Sequence, residues 1–134
     1  MANDTEKLTI NLGVVELAQV DVLVEQGIYA NRSDFIRTAI RHNLERHKDS
    51  IENALAPIAG KTEFVKVIGI TGVTRKSLEK LLEVNEKLNF SVIGMFVVDS
   101  NISPQLFQQT VESVHLRGKL VASEEIKALI AQMN

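Results

Sequence analysis

One short strand pattern followed directly by two helical patterns constrains this chain more than any other feature. Residues 7–12, Lys-Leu-Thr-Ile-Asn-Leu, alternate between polar and apolar, which is the period of a β-strand. No second strand pattern lies in the first 50 residues, so the backbone donors and acceptors of this strand would stay unpaired in one copy. We therefore expect two copies to pair these strands antiparallel, as an obligate homodimer over a shared core.

The alternation also assigns a side to each residue of the strand. Leu8, Ile10 and Leu12 are predicted to face the shared core. The polar residues point the other way, so two copies would present one exposed row of six side chains: Lys7, Thr9 and Asn11 of each chain.

Two helices are predicted after the strand. Apolar residues at helical spacing indicate a helix over about 14–26, which Gly27 ends in the C′ position. Asn31 offers an N-cap oxygen to a second helix over about 32–48, and Asp34, three residues later, makes an acidic variant of the capping box. The apolar residues that this second helix is expected to bury are Phe35, Ile36, Ala39, Ile40 and Leu44.

The rest of the chain is predicted to form a second domain. Pro57 and Gly60 interrupt any continuous helix, which indicates a linker over 51–61 between domains 1–50 and 62–134. Three apolar runs then each contain a glycine and precede a capping residue and a helical pattern. The runs are Val65–Val73, Phe90–Asp99 and Val114–Ser123, the glycines Gly72, Gly94 and Gly118, and the caps Thr74, Ser103 and Ser123.

These units predict three parallel strands with right-handed crossovers and helices on one face. The overall class is therefore α+β, an intertwined N-terminal dimer followed by a small α/β domain of about three strand–helix units. A chance likeness among the units of any small βαβαβ domain is the alternative to a true repeat. The segment Gly69-Ile-Thr-Gly72 is interpreted as a tight strand-to-helix turn rather than a phosphate-binding loop.

Composition narrows the classes of function. The 134 residues include no cysteine, which excludes disulfides, thiolate chemistry and zinc fingers. No apolar run approaches the roughly 18 residues that span a bilayer, and the polar start MANDTEK carries no secretory signal, so a cytoplasmic protein without membrane contact is expected. His42, His47 and His115 lack chelating spacing, and no nucleophile elbow is present. We expect no metal site, no cofactor and no enzyme.

Charge is distributed unevenly. The chain has a net charge of −2, yet residues 32–48 contain five basic side chains and only two acidic ones. Local charge therefore favours a nucleic-acid partner slightly, while Glu16, Asp21 and Glu25 of the first helix oppose tight nonspecific binding.

Three segments resemble the ribbon-helix-helix family of bacterial regulators, in the style of CopG, Arc and MetJ. They are Lys7–Leu12, Gly27-Ile-Tyr-Ala-Asn-Arg-Ser-Asp34 and Phe35-Ile-Arg-Thr-Ala-Ile-Arg41, within roughly residues 5–47. The resemblance implies a sequence-specific DNA-binding regulator, a repressor, whose paired strands lie in the major groove of double-stranded DNA. It implies base contacts by Lys7, Thr9 and Asn11. It also implies phosphate contacts by Asn31, Arg32 and Ser33, with Arg37 and Arg41 reaching more distant phosphates.

Other readings of the same residues remain open. Thr9 and Asn11 also fit an ordinary solvated sheet face, Asn31 and Ser33 fit simple helix caps, and the arginines fit a soluble surface. A protein-interaction or assembly module, such as an antitoxin or a plasmid-partition component, is the alternative function. For residues 62–134 we expect association with another copy, giving a tetramer or higher oligomer, with a small-molecule sensor as the rival.

Overall fold

The computed structural model describes residues 4–55 and 63–133. The chain divides into two compact units, Thr5–Ile51 and the part from Glu52 onward. In chain order, the helices and strands are α1 (Val14–Glu25), α2 (Arg32–Arg46), α3 (Lys48–Asn53), β1 (Val65–Val73), α4 (Arg75–Glu83), β2 (Leu88–Val98), α5 (Pro104–Thr110), β3 (Val111–Val121) and α6 (Glu124–Met133).

The turn between α1 and α2 forms through backbone geometry that the sequence anticipates. Gly27 has φ +76° and its N–H donates to the Val24 carbonyl at 3.0 Å, while Ile28 N–H donates to the Leu23 carbonyl at 3.1 Å. This is a Schellman motif, in which a left-handed residue lets the last carbonyls of a helix find donors. The predicted helix end at Gly27 is confirmed.

The start of α2 differs from the prediction in one detail. Asn31 Oδ1 accepts the Asp34 N–H at 2.8 Å, so the predicted N-cap is confirmed. The Asp34 carboxylate, however, accepts from the N–H of Ala30 at 2.9 Å rather than from that of Asn31. The capping box is therefore displaced by one residue, which ties the turn as well as the cap to the helix.

Helix α2 is shorter than predicted, and a separate helix follows it. It ends at Arg46 rather than at 48, since His47 (φ −106°, ψ 19°) departs from helical geometry before α3 begins. Residues 51–53, at the start of the predicted linker over 51–61, lie in α3. Residues 56–61, with Pro57 and Gly60, lie outside the described residues.

In a single copy, the predicted N-terminal strand does not form. Residues 4–13 have no regular secondary structure, and Leu8 is 80% exposed. Within the described part of this unit, Val20 alone is buried. The expected burial of the α2 stripe is also wrong for one chain, because Ile40 and Leu44 are 48% and 53% exposed and the rest of the stripe is half-buried. The short N-terminal segment and the helices α1 and α2 do not provide enough surface to cover the apolar side of α2.

The second unit is a three-stranded parallel sheet in the order β1-β2-β3, which confirms the predicted parallel strands. All three helices pack on the sheet face that carries Phe90 and Phe96. The core side chains with no exposed surface are Leu78, Phe96, Phe107 and Val114. The three predicted caps are confirmed: Thr74 accepts from Ser77 N–H, Ser103 from Leu106 N–H and Ser123 from Ile126 N–H.

Three glycines, one from each strand, lie side by side across the sheet, and two of them, Gly94 and Gly118, are glycines noted in the apolar runs. Gly69 pairs with Gly94, and Gly94 with Gly118. Their φ angles are +140°, +139° and +137°, a region that only glycine adopts readily. Gly72, the glycine noted in the first apolar run, lies three residues further along β1 than Gly69. The segment Gly69-Ile-Thr-Gly72 is therefore part of a strand, and its interpretation as a turn is wrong.

This row of glycines, which we name the glycine crease, bends the sheet. The rings of Phe90 and Phe96 meet edge to face with centroids 4.9 Å apart. In a straight strand, residues six positions apart are separated by about 20 Å. Strand β2 must therefore fold over at Gly94 toward the helices. Side chains do not fit at two of the three positions, because a Cβ on Gly94 would overlap the carbonyl oxygen of Gly69 and a Cβ on Gly118 would overlap that of Gly94.

Candidate nucleic-acid interface

The three predicted base-contacting residues lie together on the exposed N-terminal segment. Lys7, Thr9 and Asn11 are all exposed, and they alternate with apolar residues along residues 7–12. Ile10 and Leu12 line an apolar groove whose walls are α1 and α2, whereas the polar residues do not line it. Ile10 and Leu12 thus lie on the groove side of the segment, whereas Leu8, also predicted to face the core, does not line the groove and is 80% exposed.

The groove lies within the first unit. It has a volume of about 680 Å³, and its lining is mostly apolar. The apolar lining residues are Ile10, Leu12, Val20, Leu23, Phe35, Ile36, Ala39, Ile40 and Leu44. The five residues predicted for the α2 stripe are all among them, so the stripe faces this open groove.

The beginning of α2 holds three of the predicted phosphate contacts. Asn31, Arg32 and Ser33 are exposed at a helix N-terminus, where the first-turn N–H groups have no acceptor inside the helix. The Asn31 side-chain oxygen is already used by the Asp34 N–H. The N–H groups of Arg32 and Ser33 and the Ser33 hydroxyl are the donors that could meet an anion there.

Arg32 has a partner that sequence reasoning did not identify. Its Nε donates to Asp21 Oδ1 and its Nη2 to Asp21 Oδ2, both at 2.8 Å, which makes a bidentate ion pair between α1 and α2. The hydrogen bond from Arg32 holds the pKa of Asp21 below its ordinary value, and the same bond raises the pKa of Arg32. No local signal links two residues eleven positions apart, because only the turn geometry brings them together.

The remaining two arginines lie further along α2. Arg37 and Arg41 are exposed, and Arg41 Nη2 donates to its neighbour Thr38 Oγ1 at 3.3 Å. A further residue that sequence reasoning left without a role is Tyr29, whose ring meets Phe35 edge to face at 5.1 Å. This contact packs the turn against the first turn of α2 and so helps to hold the Arg32 end in place.

The three histidines are divided between the two units. His42 and His47 are exposed in the first unit, while His115 lies on β3 with its ring 5.8 Å from that of Phe64. Over residues 4–55 and 63–133, no three His, Cys, Asp or Glu side chains are placed to hold a metal ion. Among the same residues, no helix has both the length and the apolar character to cross a membrane.

Comparison with known proteins gives this geometry a family. The model of the ribbon-helix-helix transcriptional regulator family matches residues 3–127, nearly the whole chain. The transcriptional regulator CdrS of Halobacterium salinarum is 34% identical over 44 residues, which cover 80% of that protein and 33% of this chain. No solved structure matches this chain. The exposed segment of alternating residues, the two helices joined by a capped turn and the family match together show that the chain belongs to the ribbon-helix-helix transcriptional regulator family, whose members bind DNA.

Proposed function

We propose that this regulator is a repressor that binds a palindromic operator as a homodimer and reads the major groove with two paired N-terminal strands. It would act in the cytoplasm of a prokaryotic cell, where the DNA is. The observation that carries the proposal is the open apolar groove of the first unit, together with the polar row on the other side of the segment that enters it.

The groove supports a homodimer on energetic grounds. Leu8, Ile10, Ile40 and Leu44 are 80%, 55%, 48% and 53% exposed in one copy, so a unit of this size leaves much of its apolar surface in water. Full burial of one such side chain contributes about 1.5–3 kcal/mol. A second copy that inserts its own segment and helices would cover these side chains and would pair the backbone of both segments.

Pairing would also create the DNA-reading surface. A two-stranded antiparallel ribbon fits the major groove, and Lys7, Thr9 and Asn11 of both chains would face its floor. Lysine can donate to guanine O6 or N7, asparagine can pair with adenine N6 and N7, and threonine can contact a thymine methyl. The two-fold axis of the dimer would require related half-sites in the operator.

The start of α2 would fix the ribbon on the DNA backbone. A phosphate would accept the N–H groups of Arg32 and Ser33 and the Ser33 hydroxyl, with Asn31 holding the helix end in shape. The Arg32 guanidinium is engaged by Asp21 in the free protein, so a contact from its side chain requires an exchange of one anion for another. Arg37 and Arg41 would add longer-range contacts to phosphates.

The second unit would join copies of the chain. Residues 62–134 as an oligomerisation domain, linked to a DNA-binding domain over residues 1–50, would hold two or more ribbons on one operator. A site for a small-molecule effector in this domain is the competing role.

The test begins with selection of bound sequences from random duplex DNA, followed by anisotropy titrations with the selected site. Replacing Lys7, Thr9 and Asn11 together by alanine should abolish the sequence preference, because each good base contact contributes about 1–3 kcal/mol. Lys76→Ala, an exposed lysine on α4, is the matched control and should leave binding unchanged.

Variants at the helix end should behave differently. Ser33→Ala and Arg32→Ala should weaken binding to all sequences together and flatten the salt dependence. If neither set of changes alters DNA binding while the protein stays folded, the ribbon is not the reading surface. A protein that selects no DNA sequence at all would instead favour the protein-interaction module.

A further inference from the structure

We infer that the outer edge of β1 pairs antiparallel with β1 of a second copy, so that two C-terminal units share one six-stranded sheet. This interface specifies the surface for the C-terminal association proposed above. It involves no residue of the N-terminal ribbon, so the two can fail separately.

Strand β1 has the character of an edge that another strand covers. It lies at one side of the sheet, and among the described residues no strand pairs with its outer edge. Its only charged residue is Lys66, while Ile68 and Ile70 are 51% and 59% exposed. Long apolar edges are templates for strand pairing, and proteins that keep them free usually place charges on them.

The opposite edge of the sheet carries that protection. Strand β3 is the other outer strand, and three of its residues are charged: Glu112, Arg117 and Lys119. The two edges therefore differ in the feature that decides whether a strand can accept a partner. Pairing is expected at β1 and not at β3.

The backbone of β1 shows which groups would form the new ladder. The Gly69 carbonyl points toward β2, since a Cβ on Gly94 would overlap it. In a parallel ladder, successive residues direct their N–H and C=O groups to opposite sides of the strand. The groups of Ile68 and Ile70 consequently point away from β2, toward the open edge.

The glycine crease selects the register. Both copies bend at Gly69, and an antiparallel pair stays in contact along its length only if the two bends coincide. The register that places Gly69 opposite Gly69 of the second copy meets this condition and continues the crease across all six strands. A register shifted by two residues would oppose a bend to a straight segment.

The same register is complementary in side chains and charge. It places Ile68 opposite Ile70 of the second copy, so that each of these exposed isoleucines has an apolar cross-strand neighbour. Lys66 then lies opposite the uncharged Gly72. A parallel, in-register pairing would instead bring Lys66 beside Lys66 of the second copy, which is unfavourable.

Engineered disulfides test this register directly, because the chain contains no cysteine. Full-length Ile68→Cys and Ile70→Cys chains are co-expressed with different tags and oxidised without DNA. Directly opposed residues have Cα atoms about 5.5 Å apart, within disulfide range, whereas like residues would be about 8 Å apart along the diagonal. The mixed disulfide should therefore exceed its statistical share and dominate both like disulfides. Dominance of either like disulfide would overturn the register, and the absence of all three would overturn the pairing.

A blocking variant tests the edge independently. Ile70→Pro removes an N–H that points away from β2, so the circular dichroism spectrum of the sheet should stay unchanged. The same substitution should abolish the crosslink that a short bis-maleimide forms between two Ile68→Cys chains. Ile70→Thr, which keeps the N–H, is the matched control and should retain the crosslink. Equal crosslinking by both variants would refute strand pairing. Binding to a single half-site should survive in Ile70→Pro, which separates a failure of this interface from a failure of the proposed DNA reading.

Discussion

Replacing Ile40 by aspartate should separate the two copies of the N-terminal unit. Ile40 lines the apolar groove and is 48% exposed in one chain. If a second copy covers that exposed half, the lost burial is about 1 kcal/mol per chain, or about 2 kcal/mol per dimer. The two carboxylates would in addition lose their hydration, at several kcal/mol each. The sum is well above the 4 kcal/mol that corresponds to about a thousandfold weaker dimer.

The single tyrosine of the chain offers a local assay for this change. Tyr29 packs against Phe35 in the first unit, and the protein has no tryptophan, so tyrosine fluorescence reports on this unit alone. For the parent protein, the denaturant midpoint read from Tyr29 should rise with protein concentration, as it does for obligate dimers. For Ile40→Asp, we expect a lower midpoint and loss of DNA binding.

The matched control is His42→Asp, which adds the same charge to the same helix at an exposed position outside the groove. It should keep the concentration dependence of the parent. If Ile40→Asp instead unfolds at the parent midpoint and binds DNA equally well, the groove is not covered by a second copy, and the argument for the paired ribbon fails.

Three further outcomes follow from individual contacts. Gly94→Ala should lower the free energy of unfolding, measured by urea titration, by about 3 kcal/mol or more, because a positive φ and overlap with a neighbouring carbonyl both oppose a side chain there. Gly13→Ala is the control, and because its added Cβ makes only ordinary contacts it should change the free energy of unfolding little. Asp21→Asn should release Arg32 and strengthen binding to any duplex a few fold with a steeper salt dependence, and unchanged titrations would exclude a phosphate contact by Arg32. Because its pKa lies below the ordinary 3.8, Asp21 should keep its ion pair at pH 4 and lose it only as the pH falls through its own lower pKa, as its ¹³C carboxyl shift should show.

Local chemistry explains the parts of the fold that could be read from residue order. The caps at Asn31, Thr74 and Ser103 and the helix end at Gly27 depend on contacts within a few residues, so composition at those positions is sufficient. The parallel sheet followed for a similar reason, since each strand–helix unit is short and its connection has one favoured handedness.

Features that depend on residues distant in the chain could not be predicted from the sequence. The Asp21–Arg32 ion pair exists because the turn brings two helices together, and nothing near either residue indicates it. The glycine crease was not predicted, because spacing along the chain cannot show that Gly69 rather than Gly72 lies beside Gly94 in the ladder. The strand predicted at residues 7–12 does not form in one copy, because the described part of its own unit contains no strand with which its backbone could pair.

Sequence alone thus determined the helices of the first unit, the strand–helix order of the second and most of the helix caps, because these follow from backbone preference and periodicity. Only the tertiary structure decided which residues meet across turns and strands, where the sheet bends and which apolar surfaces a single chain leaves open. Those properties arise from long-range packing, in which the position of each group is set by neighbours that are remote in the chain.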